Sequence, residues 1–175
     1  MKKKNVMGLT VAFCLVLGAL FGCSDASGKR ETLCPFTPLT FDSTVENMVE
    51  IEGEDYETYN SIYNGMTYTY HKKYLDKDGI IKYMYDDRGK LCNISWAYSD
   101  EGAGEVISVY RIICDEVETF RGESVEQDGI GNFTEMWVCD DTTIIVSAVV
   151  TDDTKVMQIA YMSPEVSKQN NQSSN

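Results

Sequence analysis

Between Met66 and Tyr98 the side chains alternate in hydropathy with a period of two, and two short turn-forming clusters break the alternation. Successive side chains of an extended chain point to opposite faces, so this pattern requires strands with one buried face. The turns are too short for any pairing but antiparallel. Met66–Tyr74 sets Met66, Tyr68 and Tyr70 against Thr67, Thr69 and His71. Ile80–Tyr85 places Ile81, Tyr83 and Tyr85 together, and Leu91–Tyr98 does so for Cys92, Ile94, Trp96 and Tyr98. Asp76-Lys77-Asp78-Gly79 and Asp86-Asp87-Arg88-Gly89 are the predicted turns, with Gly supplying the positive φ that closes the second.

Two helices and three more strands complete the reading. Ser43 and Glu46 form a capping-box pair, Val45, Met48 and Val49 recur at helical spacing, and Gly53 is a natural stop, which predicts a helix over Thr44–Glu52. Glu54–Asn64 fits either a helix or an ordered loop, since Tyr56, Tyr59 and Tyr63 have helical spacing in a charged segment. A long helix is predicted over Asp100–Arg121 from the stripe Val106, Val109, Tyr110, Ile113, Val117 and Phe120, with Glu105, Arg111, Glu116 and Glu118 facing away. Phe133–Cys139, Thr142–Val150 and Lys155–Met162 are strands; the second is apolar on both faces, as a central strand should be. Asp140-Asp141 and Asp152-Asp153 mark their turns, read either as a negative rim at one sheet end or as plain hairpin residues. The expected fold is therefore α+β: an antiparallel sheet covered by one long helix, in the order α-β-β-β-α-β-β-β. The two similar halves raise an internal duplication as an alternative to a single build.

The N-terminus carries an address. Lys2, Lys3 and Lys4 precede an apolar run from Val6 to Leu20, shorter than the roughly 20 residues needed to span a bilayer. The run ends in Leu20-Phe21-Gly22-Cys23, which resembles the bacterial lipoprotein signal. That resemblance implies cleavage before Cys23 and a lipid on its thiol; an ordinary secretory signal cut near Ala26 or Gly28 is the alternative. The expected organisation is a signal peptide at 1–22, lipidated Cys23 and a flexible tether at 23–39, one α+β domain at 40–166 and a disordered polar tail at 167–175. The protein is then expected at the cell membrane, facing the extracytoplasmic side. Four further cysteines, Cys34, Cys92, Cys114 and Cys139, permit two disulfides outside the cytoplasm, but Cys92 and Cys114 fall on apolar positions where a free thiol packs as a small hydrophobe.

Charge and composition narrow the function. The chain has 28 acidic and 15 basic side chains, a formal charge of −13, which argues against a nucleic-acid partner. Losing three lysines with the signal takes −13 to −16, so a tethered domain is repelled by an anionic surface and stands off it. One histidine, His71, excludes a multi-His metal site, and no nucleophile, zinc-protease or phosphate-loop motif accompanies it. Asp76, Asp78 and Gly79 open like a calcium loop, but Ile80 and Ile81 occupy positions that should supply a ligand and a glycine, so no metal or cofactor is expected.

Phe41, the Ser43–Glu46 start, Gly53, Asp-Arg-Gly-Lys-Leu at 87–91 and Phe120-Arg121-Gly122 are similar to small bacterial lipoproteins with β-lactamase-inhibitor-like or outer-membrane-assembly-lipoprotein-like α+β domains. This resemblance, spread over residues 40–162, implies protein binding without catalysis. The expected function is a non-enzymatic, membrane-anchored lipoprotein that binds a protein, with Tyr68, Tyr70, Tyr83 and Tyr85 as candidate contact residues, because rigid aromatics dominate binding hot spots. A small-ligand or cation-binding envelope module is the alternative.

Overall fold

The computed structural model describes residues 33–126 and 133–167. The expected signal peptide, Cys23, most of the expected tether and the polar tail after Ser167 lie outside the described residues. Helix α1 spans Val45–Glu52 and is followed by β1 (Glu57–Asn60), β2 (Asn64–Tyr74), β3 (Lys77–Asp86) and β4 (Leu91–Ser99). Helix α2 (Ala103–Arg121) leads to β5 (Val125–Glu126), β6 (Phe133–Val138), β7 (Thr143–Val150) and β8 (Lys155–Met162). The fold is α+β, built on one antiparallel sheet in the order β1-β2-β3-β4-β8-β7-β6-β5. Two short edge strands, β1 and β5, therefore correct the expected order to a helix and four strands, twice. Each half is a meander, and the halves join where β4 and β8 run antiparallel through the centre, with Trp96 opposite Ile159.

The register fixes which side chains share a face. Tyr68 lies opposite Tyr83, Tyr83 opposite Ile94, Ile94 opposite Tyr161, Tyr161 opposite Ile144 and Ile144 opposite Trp137. This one face carries the core. The single long helix expected over it is corrected too: α2 packs chiefly on β7 and β8 and reaches Phe133 and Glu135 of β6 through Tyr110, while α1 covers the tyrosines of β2 and β3. Between them lies the segment Cys34–Leu39, assigned by its prolines to the tether but in fact part of the domain. Cys34, Phe36 and Leu39 are buried, and the Phe36 ring meets the edges of Tyr74 and Tyr161. Leu33 and the Cys34–Leu39 segment thus belong to the packed domain, which does not start at 40.

Local chemistry accounts for the remaining boundaries. The cap of α1 is Thr44 with Asn47, not Ser43 with Glu46: each side chain bonds the other's backbone amide. Ser43 Oγ instead accepts the Thr40 amide, closing the preceding turn. Helix α2 starts at Ala103, since Asp100 takes up the Gly102 amide outside the helix. The β2–β3 turn is Leu75-Asp76, both at positive φ, rather than the Asp-Gly cluster after it. Gly79 is instead inside β3, where a Cβ would stand 2.5 Å from the Trp96 ring and from the Ala97 carbonyl oxygen. In the β3–β4 turn Asp86 accepts from the amides of Arg88 and Lys90 and from Nε and Nη2 of the Arg88 guanidinium. Burial opposes its charge, yet these bonds together hold the carboxyl below the usual carboxylate range. The acid pairs cannot form one rim: Asp140-Asp141 precedes β7 and Asp152-Asp153 follows it, so they sit at opposite ends of a strand.

Candidate functional site

The four tyrosines singled out by alternation do come together. Tyr68 packs edge-on against Tyr85 at 5.7 Å and Tyr70 against Tyr83 at 6.2 Å. Yet Tyr70, Tyr83 and Tyr85 are buried beneath α1, and their hydroxyls hold that helix at both ends. Tyr85 donates to the Thr44 carbonyl (3.2 Å), Tyr70 to the Gly53 carbonyl (3.0 Å) and Tyr83 to the Glu52 carboxylate (2.7 Å). Burial, then the neighbouring Glu52 charge, pushes Tyr70 up to about 12, so these phenols stay neutral donors. In this arrangement three of the four rings build the core and only Tyr68 remains half-buried.

Glu52 is the polar hub of this layer. Its side chain is 6% exposed and accepts from Lys72 Nζ through both oxygens at 2.8 and 3.0 Å. Tyr83 and the Thr37 hydroxyl complete its shell. A buried carboxylate needs this full complement of donors, because stripping its water otherwise costs several kcal/mol, of order 5. The carboxylate thereby ties α1, β2, β3 and the N-terminal segment together.

What this layer does present to solvent is its rim. Tyr56 packs on Tyr68 and Tyr70 at 5.3 and 5.8 Å and so extends the buried tyrosine stack outward to the edge strand β1. All four residues of β1 are exposed, and among the described residues the strand is paired on one side only, so the other edge offers its backbone groups. Around it stand Ile51, Tyr56, Tyr59, Met66 and Ile62, the last 80% exposed. Glu54, Asp55 and Glu57 flank these apolar groups and are exposed as well. Apolar and aromatic side chains ringed by charge on a free sheet edge are the makings of a protein-docking surface. Sequence reading left this segment open, because a four-residue edge strand buries nothing and so carries no alternation. The available signal was the density of Tyr and Ile within an acidic run.

Other chemistry-bearing groups are closed. Burial pushes the Cys34 and Cys114 thiols up to about 12, far from a reactive thiolate. Cys34, Cys92, Cys114 and Cys139 are free. Glu135, beneath α2, accepts from Ser124 at 2.9 Å and from Tyr110 at 3.5 Å. His71 lies exposed on the uncovered sheet face, while Lys72 next to it points to the core. Among the described residues no three His, Cys, Asp or Glu side chains converge as metal ligands. An open depression runs past Asp100, Glu101, Asp153 and Lys155, but Asp100 is already taken up by the Tyr98 hydroxyl and the Gly102 amide. Among the described residues no helix is long and apolar enough to cross a membrane. Comparison with protein-family models, curated proteins and solved structures returned no match.

Proposed function

We propose that this chain is a non-enzymatic lipoprotein, anchored by lipid on Cys23 to the extracytoplasmic side of the membrane, whose domain binds a protein partner at the β1 rim. The rim carries the reading: exposed Tyr56, Tyr59 and Ile62 beside an unpaired strand edge. Exposed acids at Glu54, Asp55 and Glu57 suit a partner that brings basic side chains among its apolar ones, since complementary charge steers encounter and fixes register. The Lys2–Lys4, Val6–Leu20 and Gly22-Cys23 pattern supplies the anchor. Two acyl signals or more hold a protein stably, which suits a module that works from the membrane. The absence of a hydrolase, zinc-protease or phosphate-loop motif, together with thiols held protonated by burial, supports binding over catalysis.

The anchor is tested by Cys23→Ser followed by membrane fractionation. Release into the soluble fraction is expected, and unchanged membrane association would refute lipidation at this residue. The rim is tested on the same cells by crosslinking and mass spectrometry of captured proteins. Glu54→Lys combined with Glu57→Lys should cut partner recovery at least about tenfold, the size of effect expected when like charges meet at an interface. Equal recovery from wild type and variant removes the rim from the account.

A further inference from the structure

The face of the sheet opposite the helices has an unusual composition. An antiparallel sheet covered on one side ordinarily turns polar residues outward on the other. Here the register puts Met136, Val138, Ile145, Val149, Val156 and Met162 outward, on the face that α1, α2 and the N-terminal segment leave bare. Val138 is 66% exposed and the others of this group are half-buried by their neighbours in the sheet. The outward side of strand β7, where Ile145 and Val149 alternate with Thr143 and Ser147, is thus left uncovered among the described residues.

Two further observations bear on what covers the other. The first is charge. Although the chain is strongly acidic, the outward positions hold Lys73 and Lys82, with His71, against Asp78 and, on the edge strand β1, Glu57. Lysines and acids balance on this face, so two copies of the same acidic chain meet across it with little net repulsion. The second is extent. Six strands spaced about 4.8 Å and paired over about seven residues of about 3.3 Å offer roughly 600 Å² per copy. Doubled, that is about 1,200 Å², the lower bound of a stable specific interface, and far wider than one helix of about 10 Å covers. The hydroxyls of Thr67 and Ser95, on this same face beside Met84 and Lys82, are buried without a hydrogen-bond partner among the described residues.

We infer that the bare sheet face is a self-association surface on which a second copy of this chain packs sheet against sheet. The two sheets lie about 10 Å apart, as in a sandwich. Ile145 and Val149 meet their counterparts near the axis, the helices of both copies stay outside, and β1 lies at the margin of the shared face. This inference does not depend on the identity of the rim's partner or on its binding.

Sedimentation equilibrium of the full lipidated chain, in detergent with micelles in large excess, reads the outcome. Two copies per particle are expected at micromolar concentration. Ser147→Glu, at an outward position already polar, and Ile145→Lys should each raise the dissociation constant at least about tenfold by setting like charges across the face. Glu54→Lys, in the exposed segment before β1, should leave it unchanged. A wild-type particle with one copy overturns the inference, as do two copies persisting in both variants while near-ultraviolet circular dichroism reports them folded. Should either variant fail to fold, acylation of Lys82 in the wild type decides. It should slow relative to Lys90 as concentration rises through the association range, and equal rates at all concentrations overturn the inference.

Discussion

Glu52→Ala is expected to lower the unfolding free energy by about 3–5 kcal/mol, a large part of what holds a domain of this size together. The carboxylate is nearly inaccessible and satisfies Lys72, Tyr83 and Thr37 at once. Truncation leaves a part-buried ammonium and two hydroxyls facing a void, and each orphaned group costs the full price of its lost hydration. Lys72→Met should cost less, because Tyr83 and Thr37 still donate to the carboxylate and the Lys72 side chain is itself 28% exposed. Converting the cluster together, with Glu52→Leu, Lys72→Met and Tyr83→Phe, should recover part of the loss, since the ammonium and the phenol go with the carboxylate and only the Thr37 hydroxyl, which still accepts the Leu39 amide, loses its acceptor. Denaturant titration measures all three. A loss under about 1 kcal/mol for Glu52→Ala would mean that the α1 layer is held by apolar packing alone.

Gly79→Ala is expected to cost about 3 kcal/mol, although it adds one methyl group to a strand. The new Cβ would stand 2.5 Å from both the Trp96 ring and the Ala97 carbonyl oxygen, and backbone cannot yield as a flexible side chain does. Trp96 is fully buried, stacked on Tyr98 at 6.0 Å and edge-on to Tyr74, and it donates from Nε1 to the Lys72 carbonyl. Moving it disturbs the centre of the sheet where the two meanders join. Gly104→Ala provides the contrast. Nothing lies within 4 Å of its Cβ position in the first turn of α2, and there the same substitution should stabilise by up to about 1 kcal/mol. Thermal melts with near-ultraviolet circular dichroism compare the two, and equal shifts would contradict the packing described around Gly79.

How far these features could be read from the sequence depends on whether their causes are local. The alternation from Met66 to Tyr98 and the stripe from Val106 to Val117 are local patterns, and the strands and α2 lie where those patterns put them. The alternation pairs Tyr68 with Tyr70 and Tyr83 with Tyr85 strand by strand, and the β2–β3 register brings the pairs onto one face; whether a helix covers that face is decided by the path of α1, which no period encodes. Cys34–Leu39 contains two prolines and reads as a linker; Phe36 is buried only because the gap between α1 and α2 happens to receive it. The cap moved by one residue because Ser43 and Thr44 both have an acidic or amide side chain three positions on. Strand β1 left no trace, since all four of its residues face solvent. That last omission concealed the candidate site, because a docking edge is by nature the part of a sheet whose residues are not yet paired.

The account rests most heavily on the β1 rim as the partner-binding surface, and photo-crosslinking in intact cells tests that contact directly. A photoreactive residue replaces Tyr59 in one full-length chain and Ser108, on the exposed side of α2, in another. The account predicts a discrete adduct of one protein partner from position 59, lost when Glu54→Lys and Glu57→Lys are added, and none from position 108. An adduct of the same partner from position 108 with none from position 59, or no adduct from either, would contradict it.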